Sequence, residues 1–71
     1  MLITVKARYG ATYSKMESFG NNRYLVYLLS QSTDEDANLE LVTLISRKMG
    51  VPPNRIKIKE DKGNDKVVEL S

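Results

Sequence analysis

The segment from Asp36-Ala37-Asn38 to Met49-Gly50-Val51-Pro52 constrains this chain most, because it marks both ends of one helix. Ala37, Leu41, Leu44 and Ile45 recur at spacings of three and four, which places them on one helical face. Asp34, Glu35 and Asp36 stand where the positive end of the helix dipole favours carboxylates. Arg47 and Lys48 stand in the last turn, where the negative end favours cations. Thr33 with Asp36, or Ser32 with Glu35, has the spacing of a capping box. Gly50 can take the left-handed conformation that closes a helix, and Pro52-Pro53 prevent its continuation. The pattern predicts a helix over about 34–49. Asn38, Val42 and Ile45 run beside the apolar stripe, so the Asn38 amide is expected on the buried side.

On either side of this helix the period changes from 3.6 to 2. In residues 2–9, Ile3, Val5, Ala7 and Tyr9 alternate with Thr4, Lys6 and Arg8, as in a half-buried strand. Residues 23–29 read Arg-Tyr-Leu-Val-Tyr-Leu-Leu and are apolar on both faces. That pattern predicts a central strand, or a strand with one open apolar face. Ile56 and Ile58 alternate with Lys57 and Lys59, and Val68 and Leu70 alternate within 66–70. Asp61-Lys62-Gly63-Asn64-Asp65 between them reads as a turn. Antiparallel pairing with Ile58 opposite Val68 sets Lys57 against Glu69, a favourable cross-strand pair. Within the polar stretch 10–22, Lys15 to Phe19 reads as a short extra strand turning through Gly20-Asn21-Asn22. The expected fold is a single α+β domain over 1–71. It is a two-layer β-β-α-β-β arrangement with a mixed four-stranded sheet and the helix on one face.

Composition removes whole classes of chemistry. The chain has no cysteine and no histidine. Disulfides, thiolate sites, the usual zinc sites and histidine-assisted nucleophiles are therefore excluded. With 71 residues the chain buries only about 60% of its unfolded surface. Eleven basic and 9 acidic residues leave a net charge of +2, which permits nucleic-acid binding without requiring it. No apolar run reaches the roughly 18 residues that cross a bilayer. The N-terminal residues show no charged, apolar and cleavable signal pattern. The expectation is a soluble cytoplasmic protein with no membrane partner and no cofactor.

Thr33-Asp34-Glu35-Asp36-Ala37-Asn38, Leu41, Leu44-Ile45, Lys48-Met49-Gly50-Val51-Pro52, Ile56-Lys57-Ile58 and Lys66-Val67-Val68-Glu69-Leu70 follow one another in an order that resembles the YggU-like family of small domains. Glu35 stands where the family pattern has glycine before Ala-Asn. The family's Ser-Gly-x-x-Ser-Arg loop is not recognisable in 59–65, although Gly63 and Lys66 keep part of it. The resemblance implies a two-layer α/β fold with a mixed sheet, and no function.

Four groups of residues are candidates for a working surface. Lys6, Arg8, Lys57 and Lys59 fall on the strand faces turned away from the helix and would form a basic sheet surface, extended by Arg23 and Lys66. With an aromatic ring such as Tyr27 this surface suits single-stranded nucleic acid, although lysines that blunt exposed strands give the same pattern. Leu25 and Tyr27, with Tyr24 and Leu29, offer the alternative of a protein partner or homodimer, unless 10–22 folds over them through Met16 and Phe19. Asn38 and Lys66 are structural or ligand-binding candidates, since an amide both donates and accepts. Asp34, Glu35, Asp36 and Glu40 lack the spacing of a calcium loop and fit helix-end stabilisation, so no metal is expected. No serine or threonine sits in a recognisable nucleophile motif. The expectation is a non-enzymatic binding module, with nucleic acid as the lead ligand.

Overall fold

The alternation of Ile3, Val5 and Ala7 with exposed neighbours forms β1 (Leu2–Arg8), the middle strand of the sheet. The structure is a computed structural model that describes all 71 residues, Met1–Ser71. The other elements are β2 (Lys15–Ser18), β3 (Arg23–Tyr27), α1 (Ala37–Met49), a single 3-10 turn (Pro53–Arg55), β4 (Ile56–Asp61) and β5 (Asp65–Leu70). The strands lie in the order β2-β3-β1-β5-β4. β1 runs parallel to β3 and antiparallel to β5, while β2/β3 and β4/β5 are antiparallel hairpins. The protein is thus α+β, with one helix and a mixed sheet.

One face of the sheet carries the helix. Leu41, Leu44 and Ile45 of α1 pack with Ile3, Val5, Ala7, Val26, Leu28 and Val68, and Ile56 and Leu70 complete the cluster. Ile3, Leu28, Leu41, Ile45, Val5, Val26 and Val68 are the largest fully buried side chains. Each contributes about 1.5–3 kcal/mol relative to exposure. Gly50 ends α1 at φ 69°, and its N–H donates to the Ser46 carbonyl at 3.0 Å, as the sequence predicts. No helix covers the opposite face of the sheet.

Expectation and structure differ in three places. The sheet has five strands, not four, because Lys15–Ser18 pairs along β3. Gly20, Asn21 and Asn22 make that hairpin possible by taking φ of 78°, 49° and 60°, conformations that glycine and asparagine tolerate best. The helix begins at Ala37 rather than near 34, and neither capping box forms. Asp34 Oδ1 instead accepts the Asp36 N–H at 3.1 Å, a local turn that competes with helix. The third difference concerns Asn38, which is exposed rather than turned to the core. The register Ile58–Val68 with Lys57–Glu69 is the predicted one, but a bulge between Ile58 and Glu60 follows it.

Candidate nucleic-acid interface

Residues opposite one another on neighbouring strands share a face of the sheet. Thr4 lies opposite Arg23, Lys6 opposite Leu25, and Arg8 opposite Tyr27. Because Ile3, Val5 and Ala7 face the helix, these six side chains face away from it. On β5 the same face carries Asp65, opposite Lys6, and Glu69, opposite Leu2. Lys57 lies opposite Glu69. Of the predicted basic residues, Lys6, Arg8, Arg23 and Lys57 therefore share one face, but β5 divides them into two groups. Lys59 sits at the β4 bulge, and its Nζ is 3.4 Å from Glu69 Oε1. Lys59 is thus paired with Glu69, whereas Lys57 lies opposite the same carboxylate without forming an ion pair.

The β1–β3 group holds no ion pair at all. Lys6, Arg8 and Arg23 line an open groove of about 510 Å³ with Phe19, Leu25 and Asp65. None of the three cations takes part in the molecule's ion pairs, which are Lys15–Glu17, Lys59–Glu69 and Lys66–Asp61. Three cations and one carboxylate give the groove a formal charge of +2, equal to the excess of the whole chain. Phe19, at the end of the β2–β3 hairpin, is 65% exposed, an uncommon position for a large apolar ring. Beside the groove Tyr13 stacks on Tyr27 with ring centres 6.0 Å apart and planes 23° apart. The 10–22 segment therefore covers only part of β3: Tyr13 shields Tyr27, Met16 pairs beside Val26 and is half-buried, and Phe19 stays open.

Lys66 is absent from this surface. It is 3% exposed and faces the core side, in line with Val68 and Leu70. Its Nζ donates to Asp61 Oδ1 at 2.6 Å. Asp61 also accepts from Asn38 Nδ2 at 3.1 Å and from the Gly63 N–H at 3.0 Å. The Lys66 ammonium lies 5.9 Å from the centre of the Tyr9 ring, and the Tyr9 hydroxyl donates to the Gly63 carbonyl at 2.6 Å. The start of α1, the β4–β5 turn and β5 thus meet at one carboxylate, and Tyr9, just past β1, is bonded to the same turn. The Lys66 bond, then those from Asn38 and Gly63, hold the Asp61 carboxyl down at about 2. Burial pushes the Lys66 ammonium down, but the Asp61 bond and Tyr9 outweigh it and its pKa ends raised. Both groups stay ionised around neutral pH, which suits a fastening rather than proton transfer.

Sequence reasoning placed Lys66 on the working surface although its own alternation with Val68 assigns it inward. It missed Asp61 because the β4 bulge reverses the facing that strict alternation would give. It also missed the role of Glu40. This carboxylate accepts from the Leu29 N–H at 2.7 Å, the Ser30 N–H at 2.9 Å, the Ser30 hydroxyl at 2.7 Å and the Ser14 hydroxyl at 3.1 Å. Burial raises its pKa, yet these donors outweigh burial and the net shift is downward. Glu40 lies on a second groove of about 460 Å³ beside α1. No three acidic, histidine or cysteine side chains gather where they could hold a metal ion. No helix is long and apolar enough to cross a membrane. No family model matches the sequence, and comparison with curated proteins gives no match.

Proposed function

We propose that this protein is a small module that binds single-stranded nucleic acid in the groove on the open face of its sheet. One observation carries this reading: Lys6, Arg8 and Arg23 converge, none of them in an ion pair, around Leu25 and beside the exposed Phe19 ring. Cations that have no partner within the molecule are free to neutralise phosphates, and an exposed ring offers a stacking surface for a base. Leu25 supplies apolar surface, and the Tyr13–Tyr27 stack borders the groove. Lys57 and Lys59 have a smaller role, since Glu69 stands between them and β1.

A homodimer through Leu25 and Tyr27 is the competing reading. It is favoured by the exposure of Leu2, Tyr13 and Phe19, at 54%, 55% and 65%. Two copies joined face to face by this surface would bring two sets of uncompensated cations together, which disfavours it. We further propose that the chain is a YggU-like domain that acts as a soluble, cytoplasmic and non-enzymatic module. The convergence of Asn38 and Lys66 on Asp61 supports the family proposal, because it joins the separated parts of the sequence pattern.

Fluorescence anisotropy with labelled single-stranded RNA tests the binding. Three phosphate contacts predict a slope of log K against log salt of about −2, or roughly twentyfold weaker binding from 50 to 200 mM salt. Lack of binding at 50 mM salt would reject the reading. Concentration-dependent dimerisation unaffected by salt would favour the competing one.

A further inference from the structure

We infer that Asp65 makes the proposed groove selective for guanine in a single strand, an inference that rests on the nucleic-acid reading above. Asp65 is an exposed carboxylate that lines the groove together with Lys6, Arg8 and Arg23. It lies opposite Lys6 across the β1–β5 ladder, yet it forms no ion pair with Lys6 or any other cation. Its side chain also makes no hydrogen bond. The turn it ends is held by its backbone, through the Lys62 N–H donating to the Asp65 carbonyl at 2.9 Å. The carboxylate is therefore free of any fastening role.

A lone carboxylate lowers the attraction of a cationic groove for phosphate, but it adds something the cations lack. It presents two oxygens that only accept hydrogen bonds. The Watson–Crick edge of guanine is the one base edge with two adjacent donors, N1–H and the N2 amino group. It can meet a carboxylate with two parallel bonds, as a guanidinium does. The other bases set an acceptor beside each donor on that edge and so oppose the second oxygen. Single strands leave these edges free to be read. Lys6, Arg8 and Arg23 would hold the phosphates, Phe19 would stack, and Asp65 would choose the base.

The test uses the full chain and labelled RNA nonamers: all-uridine, and the same strand with a central guanosine, inosine or adenosine. Binding is followed by anisotropy at 50 mM salt. The guanosine strand should bind about tenfold tighter than all-uridine. Inosine, which lacks the N2 amino group, should lose most of that advantage, and adenosine all of it. Asp65→Ala should bind every strand more tightly than the parent binds all-uridine, with guanosine and uridine strands now equal. Equal, salt-sensitive binding of all four strands by the parent would overturn the inference and leave the binding reading standing. Retention of the guanosine preference in Asp65→Ala would also overturn it. Failure of every strand to bind would remove the nucleic-acid reading, and this inference with it.

Discussion

Asp61 and Lys66 form an unequal pair, and the inequality predicts how each responds to substitution. Lys66 is 3% exposed, whereas the Asp61 side chain is 39% exposed. Removing the carboxylate leaves a buried ammonium unpaired, but removing the ammonium leaves a carboxylate that water can reach. Asp61→Ala should therefore cost about 2–3 kcal/mol and Lys66→Met about 1 kcal/mol or less. The double variant should recover most of the Asp61→Ala loss, a coupling that denaturant unfolding of all four proteins measures. The pH dependence has a definite sign. The folded Asp61 pKa of about 2 lies below its ordinary 3.8, so its contribution is complete above the ordinary value. That contribution disappears as pH falls from about 4 to about 2, and the Tm gap between the parent and Asp61→Asn should shrink across that window. Lys66 is the converse case: its raised pKa gives stability present below its ordinary 10.5 and lost as pH rises through the folded value. Part of this cluster was legible in the sequence. Tyr9 extends the inward set of Ile3, Val5 and Ala7, and Lys66 precedes Val68 by two residues. The position of Asp61 was not legible, since a bulge is an extra residue that no period announces.

Gly50, Pro52 and the stripe Ala37, Leu41, Leu44 and Ile45 made α1 the most readable element, because its stop signal and its buried face are both local. Its start was less readable. Asp34, Glu35 and Asp36 satisfy the dipole rule whether they stand inside the helix or in the turn before it. The Asp34 side chain selects the turn. Glu40 then fastens the β3–α1 connection by accepting the Leu29 and Ser30 N–H groups. A carboxylate that bonds backbone leaves no trace in a sequence pattern. Glu40→Gln should destabilise the protein by about 1 kcal/mol. The same change should speed amide exchange at Leu29 and Ser30 selectively, with core amides of β1 following only the global loss. Uniform acceleration over the whole sheet would mean that the connection is held by other contacts. The short strand β2 was readable through Gly20-Asn21-Asn22, but a four-residue edge strand carries too little alternation to count with certainty among its neighbours.

Across the whole molecule, one helix covers one face of a five-stranded sheet, and function is proposed for the face left open. That Lys6, Arg8 and Lys57 share this face followed from alternation alone. Strand order was beyond the sequence, because it depends on which strand fills the centre. The insertion of β5 between β1 and β4 places Asp65 and Glu69 amid the basic residues and divides the surface. Lys57→Glu with Lys59→Glu should therefore weaken RNA binding only about twofold to fivefold, whereas Lys6→Glu with Arg23→Glu should weaken it at least a hundredfold. Anisotropy titrations of the two double variants compare these directly. All four positions are exposed, so circular dichroism melts of both variants should stay within about 1 kcal/mol of the parent. The measurement that bears most directly on the central proposal is an amide chemical-shift map of the labelled protein titrated with a short single-stranded RNA. Shifts concentrated at Thr4, Lys6, Arg8, Phe19, Arg23 and Leu25 are the predicted result. Shifts confined to the α1 groove around Leu39, Glu40 and Arg47, or no shifts at low salt, would contradict it.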